Sequence, residues 1–81
     1  MCFTYVLESD QGNHWYFGVT NNINRRISEH NSGKSAHANK YKPWKLRFCA
    51  SFIDRPCAEK FEKYLKSHAG RAWMSKHLSS S

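Results

Sequence analysis

WYFGVTNNINRRISEHNSG, residues 15–33, decides how the fold is read. Trp15 to Thr20 is aromatic and β-branched, the composition of a strand. Asn21 or Asn22 can then cap a helix that runs to about His30. Ile23 and Ile27, spaced i,i+4, define its buried side. Arg26 borders that side, and Arg25 and Glu29 lie farther round. Asn31-Ser32-Gly33 stops the helix, with Asn31 or Gly33 able to take a left-handed cap. Gly18, inside the strand, implies either a close approach to the backbone or a bulge.

Outward from this segment, Phe3 to Leu7 reads as a strand, and Asp10-Gln11-Gly12-Asn13 as the turn pairing it with the second. Residues 32–44 show no period and carry Lys34, Lys40 and Lys42, which makes a long basic loop closed by Pro43. Long loops in small domains are often functional. Leu46 to Phe52 is a third strand. Asp54 caps a helix with Pro56 in its first turn. Ala58, Phe61, Leu65 and His68 form its apolar stripe, and Glu59, Glu62 and Lys66 a neighbouring one. Gly70 is expected to break that helix, and Arg71 to Leu78 to form a short last one around Trp73. Residues 79–81 should fray. The order predicts an α+β fold, a small three-stranded mixed or antiparallel sheet flanked by helices. It cannot be wholly parallel, because its first two strands share a tight turn.

Eighty-one residues suit a single domain over 1–81 and exclude a Rossmann sheet or a TIM barrel. Thirteen Lys or Arg against six Asp or Glu leave a formal charge of +7, which favours a polyanionic partner. The excess is uneven: residues 1–21 hold no Lys or Arg. Three Cys are an odd number at spacings that match no zinc motif, so they read as reduced thiols, with Cys49 and Cys57 in the core. No apolar run of 18 residues is present, so no membrane partner is expected, and the N-terminus lacks the pattern of a secretion signal. A cytoplasmic location is the expectation.

The residues resemble the GIY-YIG nuclease superfamily, and in particular its small stand-alone members, which are similar to the N-terminal nuclease domain of the UvrC repair protein. Phe3-Thr4-Tyr5 stands at the first signature triplet and Tyr16-Phe17-Gly18 at the second. Thr20, Asn22-Ile23, Arg25-Arg26 and Glu29-His30-Asn31-Ser32-Gly33-Lys34 follow the family pattern, as do Leu46, Ala58-Glu59 and Glu62-x-x-x-Lys66. The likeness covers about residues 3–66. Two departures stand out. Phe3 replaces the first glycine, and no residue matches the Asn that the repair enzymes carry after the acidic helix.

The resemblance implies hydrolysis of DNA phosphodiester bonds, structure-specific or repair-related, with one divalent cation, Mg²⁺ or Mn²⁺, held by Glu62. Glu59 is the weaker candidate. One carboxylate is enough for Mg²⁺, which keeps several waters and takes substrate phosphate as a ligand. The competing reading of Glu62 is an i,i+4 ion pair with Lys66. Tyr16 matches the family's general base. An ordinary tyrosine, with a pKa near 10, needs nearby cations for that role. Tyr5 would support it, or is a cross-strand packing residue. Arg26 would grip the scissile phosphate through two parallel hydrogen bonds, or cover apolar surface with its stem. His30 would orient a phosphate or relay a proton. Gly18 and Gly33 match as backbone positions. Arg25, Lys34, Lys40, Lys42, Lys45 and Lys66 are the candidates for contacting duplex or branched DNA through its backbone. Trp15, Trp44 and Trp73 read as core or rim; if one stacks on a base, Trp44 beside the basic loop is the choice. Specificity would come from this domain or from a protein partner. The alternative is a non-catalytic nucleic-acid-binding module on the same fold.

Overall fold

The computed structural model describes residues 1–10, 14–32 and 41–78. Three strands, β1 (Cys2–Ser9), β2 (Trp15–Thr20) and β3 (Trp44–Phe52), form one antiparallel sheet in the order β2-β1-β3. Three helices complete the α+β fold: α1 (Ile23–Asn31), α2 (Arg55–Lys66) and α3 (His68–His77). β1 and β3 are longer than the apolar runs that announce them. β3 begins at Trp44, because Trp44 pairs with Ser9 and continues the ladder.

Side chains alternate across β1, and the two faces bury different material. Tyr5 and Leu7 join Trp44 in one cluster, packed with Tyr16, Ile23, Ile27 and Tyr41 under α1. Val6 joins Leu65 and Met74 in the other, packed with Trp15, Phe17, Phe48, Phe61, Trp73 and Leu78 under α2 and α3. Thr4 also ties β1 to α2: its buried hydroxyl donates to the Ala58 carbonyl at 2.6 Å.

The register explains Gly18. It lies opposite Tyr5, whose ring crosses it. A Cβ at residue 18 would stand 2.6 Å from Tyr5 Cζ. Close approach is therefore the reason for this glycine, and the β1–β2 pairing is regular there. The register shift falls instead between β1 and β3, where Val6 pairs with Phe48 but Leu7 with Leu46, leaving Arg47 as the extra residue.

Local chemistry sets the helix ends. Asn22, not Asn21, caps α1, and its side chain accepts from the Arg25 N–H at 3.0 Å. Asn31 takes no left-handed cap; it is the last residue of α1, and Ser32 follows in a right-handed conformation. The Asn31 side chain serves β3 instead. Its Nδ2 donates to the Trp44 carbonyl at 2.9 Å, and its Oδ1 accepts from the Trp44 N–H. Gly33, Lys34 and Lys40 lie outside the described residues, as do 79–81. Asp54 caps α2 as the sequence predicts, accepting from the Cys57 N–H at 3.0 Å.

Several expectations are corrected. The break after α2 is at Ser67, not Gly70. Ser67 ends α2 and caps α3, accepting from the Gly70 N–H at 3.2 Å. Gly70 lies inside α3, where a Cβ would be 2.6 Å from Leu65 Cα, so it permits close packing of α3 on α2. His68 is exposed and opens α3, outside the apolar stripe of α2. Cys49 and Cys57 are exposed, on an edge strand and in the first turn of α2, clear of the side chains that fill the core. Trp44 is 4% exposed and closes the α1-side core, so its face is not offered for stacking.

Candidate active site

On the α1 side, strand alternation and helix period bring four of the expected site residues together. Tyr5 and Tyr16 come from β1 and β2. Arg26 and His30, one turn apart, come from α1. The tyrosine rings stack with centroids 6.3 Å apart. They are diagonal rather than directly opposite, since Tyr5 pairs with Gly18 and Tyr16 with Leu7. His30 meets the Tyr16 ring edge-on at 4.3 Å and the Trp44 ring at 6.1 Å.

Arg26 sits at the mouth of this cluster. Its Nε donates to the Tyr5 hydroxyl over a long 3.4 Å, and its Nη1 donates to Glu29 Oε1 at 3.1 Å. The hydrogen bond to Tyr5 is the largest influence raising the Arg26 pKa. Tyr5 is buried, and its pKa is raised, first by that burial and further by the neighbouring Tyr16 and Glu62, against the lowering effect of the Arg26 hydrogen bond and charge. Tyr5 is therefore a neutral phenol at ordinary pH, a packing and hydrogen-bonding residue. The sequence left its role open, and it occupies the position expected of a cross-strand aromatic while also bonding Arg26.

His30 is 6% exposed, and neither ring nitrogen has a hydrogen-bond partner among the described residues. Burial first, and the Arg26 charge second, push its pKa below the ordinary histidine value. The imidazole is thereby held neutral. A buried polar ring with both nitrogens unpaired is costly, which sets it apart from an ordinary surface histidine near a helix end.

Glu62 approaches from α2, beyond the layer that supplies the other four. Its charge is near enough to contribute to the raised Tyr5 pKa. Its carboxylate also accepts an ion pair from Lys66 at 3.1 Å, with 22% of the side chain exposed. The i,i+4 pair with Lys66 that the spacing predicts is therefore formed. Glu59 is turned to Arg55 at 3.0 Å. Among the described residues, no three His, Cys, Asp or Glu side chains gather as a metal cage. Of the half-buried carboxylates near the tyrosines, Glu29 is held by Arg26, and Glu62 is a hard oxygen donor of the kind that suits a cation retaining its waters.

The candidate DNA contacts are more dispersed. Arg25 is exposed and reaches Glu29 at 3.9 Å, Lys45 pairs with Asp10 at 3.2 Å, and Lys66 is held by Glu62. Lys42 is exposed. The expected contacts at Lys34 and Lys40 lie outside the described residues. Glu29, to which the sequence assigns no role in the site, is the carboxylate bonded to Arg26. Their i,i+3 spacing was the available signal.

A model of the GIY-YIG catalytic domain matches residues 1–77. The UPF0213 protein YazA of Bacillus subtilis is 38% identical over 65 residues, covering 79% of this chain and 65% of that protein. A UPF0213 protein of Vibrio campbellii is 38% identical over 63 residues, covering 76% of this chain and 60% of the relative. The matched region therefore spans less than two thirds of the length of these two relatives. The solution NMR structure of a UPF0213 protein from Bacillus halodurans superposes with a TM-score of 0.54 at 30% identity, covering 94% of this chain and 84% of that one. The domain match runs past the acidic helix to residue 77, through the whole of α3. By its domain match and its relatives, the chain belongs to the GIY-YIG family of nuclease-type catalytic domains.

Proposed function

We propose that this chain is a metal-dependent DNA endonuclease acting through its GIY-YIG domain. The observation that carries the reading is the convergence of Tyr5, Tyr16, Arg26 and His30 on one side of the sheet, with Glu62 close enough to influence Tyr5. Arg26 binds the scissile phosphate, exchanging Glu29 for phosphoryl oxygens and placing its charge where negative charge grows. Tyr5 steadies the guanidinium from below. Tyr16 orients the attacking water and takes its proton as its own phenolic proton passes to neutral His30 beside it, and a proton from solvent completes the leaving 3′ hydroxyl. Water oxygen bonds to phosphorus as the bond to the 3′ oxygen breaks, giving 5′-phosphate and 3′-hydroxyl ends. Glu62 would hold the divalent cation, Mg²⁺ or Mn²⁺, which supplies Lewis-acid stabilisation of the phosphoryl oxygens when bound. A cytoplasmic role on branched or damaged duplexes, with a protein partner adding specificity, extends the reading.

One observation favours the non-catalytic alternative. Arg26 and Glu62 both hold ion-pair partners, Glu29 and Lys66, that a substrate phosphate and a cation must displace. Cleavage of plain, nicked, flapped and branched duplexes with Mg²⁺ or Mn²⁺ separates the two readings. Wild-type protein should cut at least one substrate. Glu62→Gln should abolish cutting while duplex binding persists, because it removes the cation-holding charge and keeps the side-chain shape. A wild type that binds without cutting any of them establishes the binding module. An active wild type with a fully active Glu62→Gln removes Glu62 from the metal site.

A further inference from the structure

The chain's six carboxylates have defined neighbours. Glu8 pairs with Arg47, Asp10 with Lys45, Glu29 with Arg25 and Arg26, Glu59 with Arg55, and Glu62 with Lys66. Asp54 caps α2, its carboxyl held low first by the Cys57 backbone N–H and more weakly by the Lys60 charge. Among the described cations, Lys42, Lys60, Lys63, Arg71 and Lys76 form no ion pair with any of them. Four of these five lie on α2 and α3, and all four are exposed. Lys42 alone lies elsewhere.

Their placement is ordered. The buried residues of α2 are Ala58 and Leu65. At 3.6 residues per turn, Lys60 and Lys63 fall on the opposite side of that helix. In α3, Lys76 lies opposite buried Met74, and Arg71 is on the exposed flank. α3 contains no Asp or Glu at all. A face that serves only solubility usually mixes both signs, with i,i+4 pairs as on the Arg55–Glu59 and Glu62–Lys66 flank. Lys63 and Lys76 stand in the last turns of their helices, where the dipole welcomes a cation. Lys60 and Arg71 have no such benefit, and Arg71 lies close to the positive end of α3. Ser67 alone joins the two helices, so these cations share one short hairpin. Tyr64, 41% exposed, lies between Lys63 and the hairpin bend with its ring stacked on Phe61 at 6.0 Å.

We propose that the outer face of α2 and α3 is a second contact surface for a nucleic-acid backbone, directed away from α1. The inference rests on the reading of the chain as a nucleic-acid protein, and it concerns residues outside the expected footprint of the active site. The sheet separates this face from Arg25 and Arg26. With each helix about 10–12 Å across, the two surfaces are a full three-layer thickness apart. A short duplex seated on Arg25, Arg26 and the Glu62–Lys66 flank of α2 leaves the outer face of the hairpin, opposite Ala58, Leu65 and Met74, uncovered. The hairpin therefore engages another segment or arm, and it does so without reading sequence, because its donors are ammonium and guanidinium groups suited to phosphate.

The test is the salt dependence of binding, measured in EDTA by fluorescence anisotropy so that cleavage does not enter. Lys60, Lys63, Arg71 and Lys76 are changed together to Gln, which keeps length and helix propensity. A two-site variant, Lys60→Gln with Lys63→Gln, leaves α3 intact and replaces the fourfold variant if the latter does not fold by circular dichroism. Two branched or long duplexes of unrelated sequence are compared. The slope of log affinity against log salt should flatten by about 0.9 or more on both, since each lost phosphate contact releases about that much. A smaller flattening, or one confined to one sequence, overturns the proposal and leaves an acidic protein surface or plain solvation as the use of the face. Arg25→Gln, measured alongside, reports on the α1 side. Either surface can thus fail while the other stands, and cleavage by wild type separately decides the nuclease reading.

Discussion

Both faces of the sheet pack aromatic side chains, to different ends. Under α2 and α3, Val6, Leu65 and Met74 are enclosed by Phe17, Phe48, Phe61 and Trp73, with the Phe48 and Trp73 rings 5.4 Å apart edge to face. That side is mostly hydrocarbon. Its polar ties are the buried Thr4 hydroxyl, which donates to the Ala58 carbonyl, and at the margin Arg47, which pairs with Glu8 and donates to the Leu78 carbonyl at the end of α3. Under α1 the aromatics carry polar atoms: the Tyr5 hydroxyl bonds Arg26, and His30 is enclosed with both nitrogens unpaired. A core built only for stability avoids such groups, because each unpaired buried nitrogen carries a desolvation cost. The hydrocarbon face is the one suited to holding the fold together, and the polar aromatic face is the one that the proposed function uses as its site.

Substitutions can break or sharpen that contrast. The largest effect on stability is expected from Leu65→Ala. Leu65 is fully buried at the centre of the hydrocarbon face, and truncating it should cost about 2–5 kcal/mol through lost burial and a residual cavity. Urea denaturation measures it. A loss below about 1 kcal/mol would mean that the site collapses freely and that this face is not the structural one.

An intermediate effect, visible only through pH, is expected at His30. Its folded pKa lies below the ordinary value, so the unfolded chain binds the proton more readily. The stability of the neutral ring is complete above about pH 6.5 and is lost as pH falls from there through the lower folded pKa. The melting temperature of wild type should therefore drop on acidification through that window. His30→Leu should flatten the drop, since no proton is taken up at that position. An identical acid profile in the variant would place the titration elsewhere, for example on the exposed histidines.

The smallest effect on stability is expected from Arg26→Lys. The Arg26–Glu29 pair is on a half-exposed helix surface, where such i,i+3 pairs contribute about 0.2–0.5 kcal/mol and lysine keeps the charge. Cleavage should nevertheless fall by 10-fold or more, because an ammonium lacks the planar pair of donors. Single-turnover rates and melting curves, taken together, check both halves. A large melting shift with little loss of rate would move Arg26 from the functional face to the structural one.

The residues already determine much of this protein. The β-branched and aromatic runs Phe3–Leu7 and Trp15–Thr20, the i,i+4 pair Ile23 and Ile27, and the Asp54 cap are local signals, and each element appears where they indicate. The series Tyr5, Tyr16, Gly18, Arg26, His30 and Glu62, being ordered in sequence, pointed to the family without any coordinates. Tertiary structure decided what depends on the approach of distant segments. Gly70 reads as a helix breaker because glycine lowers helix propensity, yet Ser67 makes the break and Gly70 is used for contact with Leu65, a neighbour visible only when α3 folds back on α2. Asn31 reads as a helix cap, yet its amide finds Trp44, thirteen residues on. Cys49 and Cys57 read as core by residue type, but an edge strand and a helix's first turn left them exposed. The partners of Arg26 were divided in the same way. Glu29 lay within reach of local spacing, while Tyr5, twenty-one residues earlier, met the guanidinium only because the sheet and α1 packed face to face.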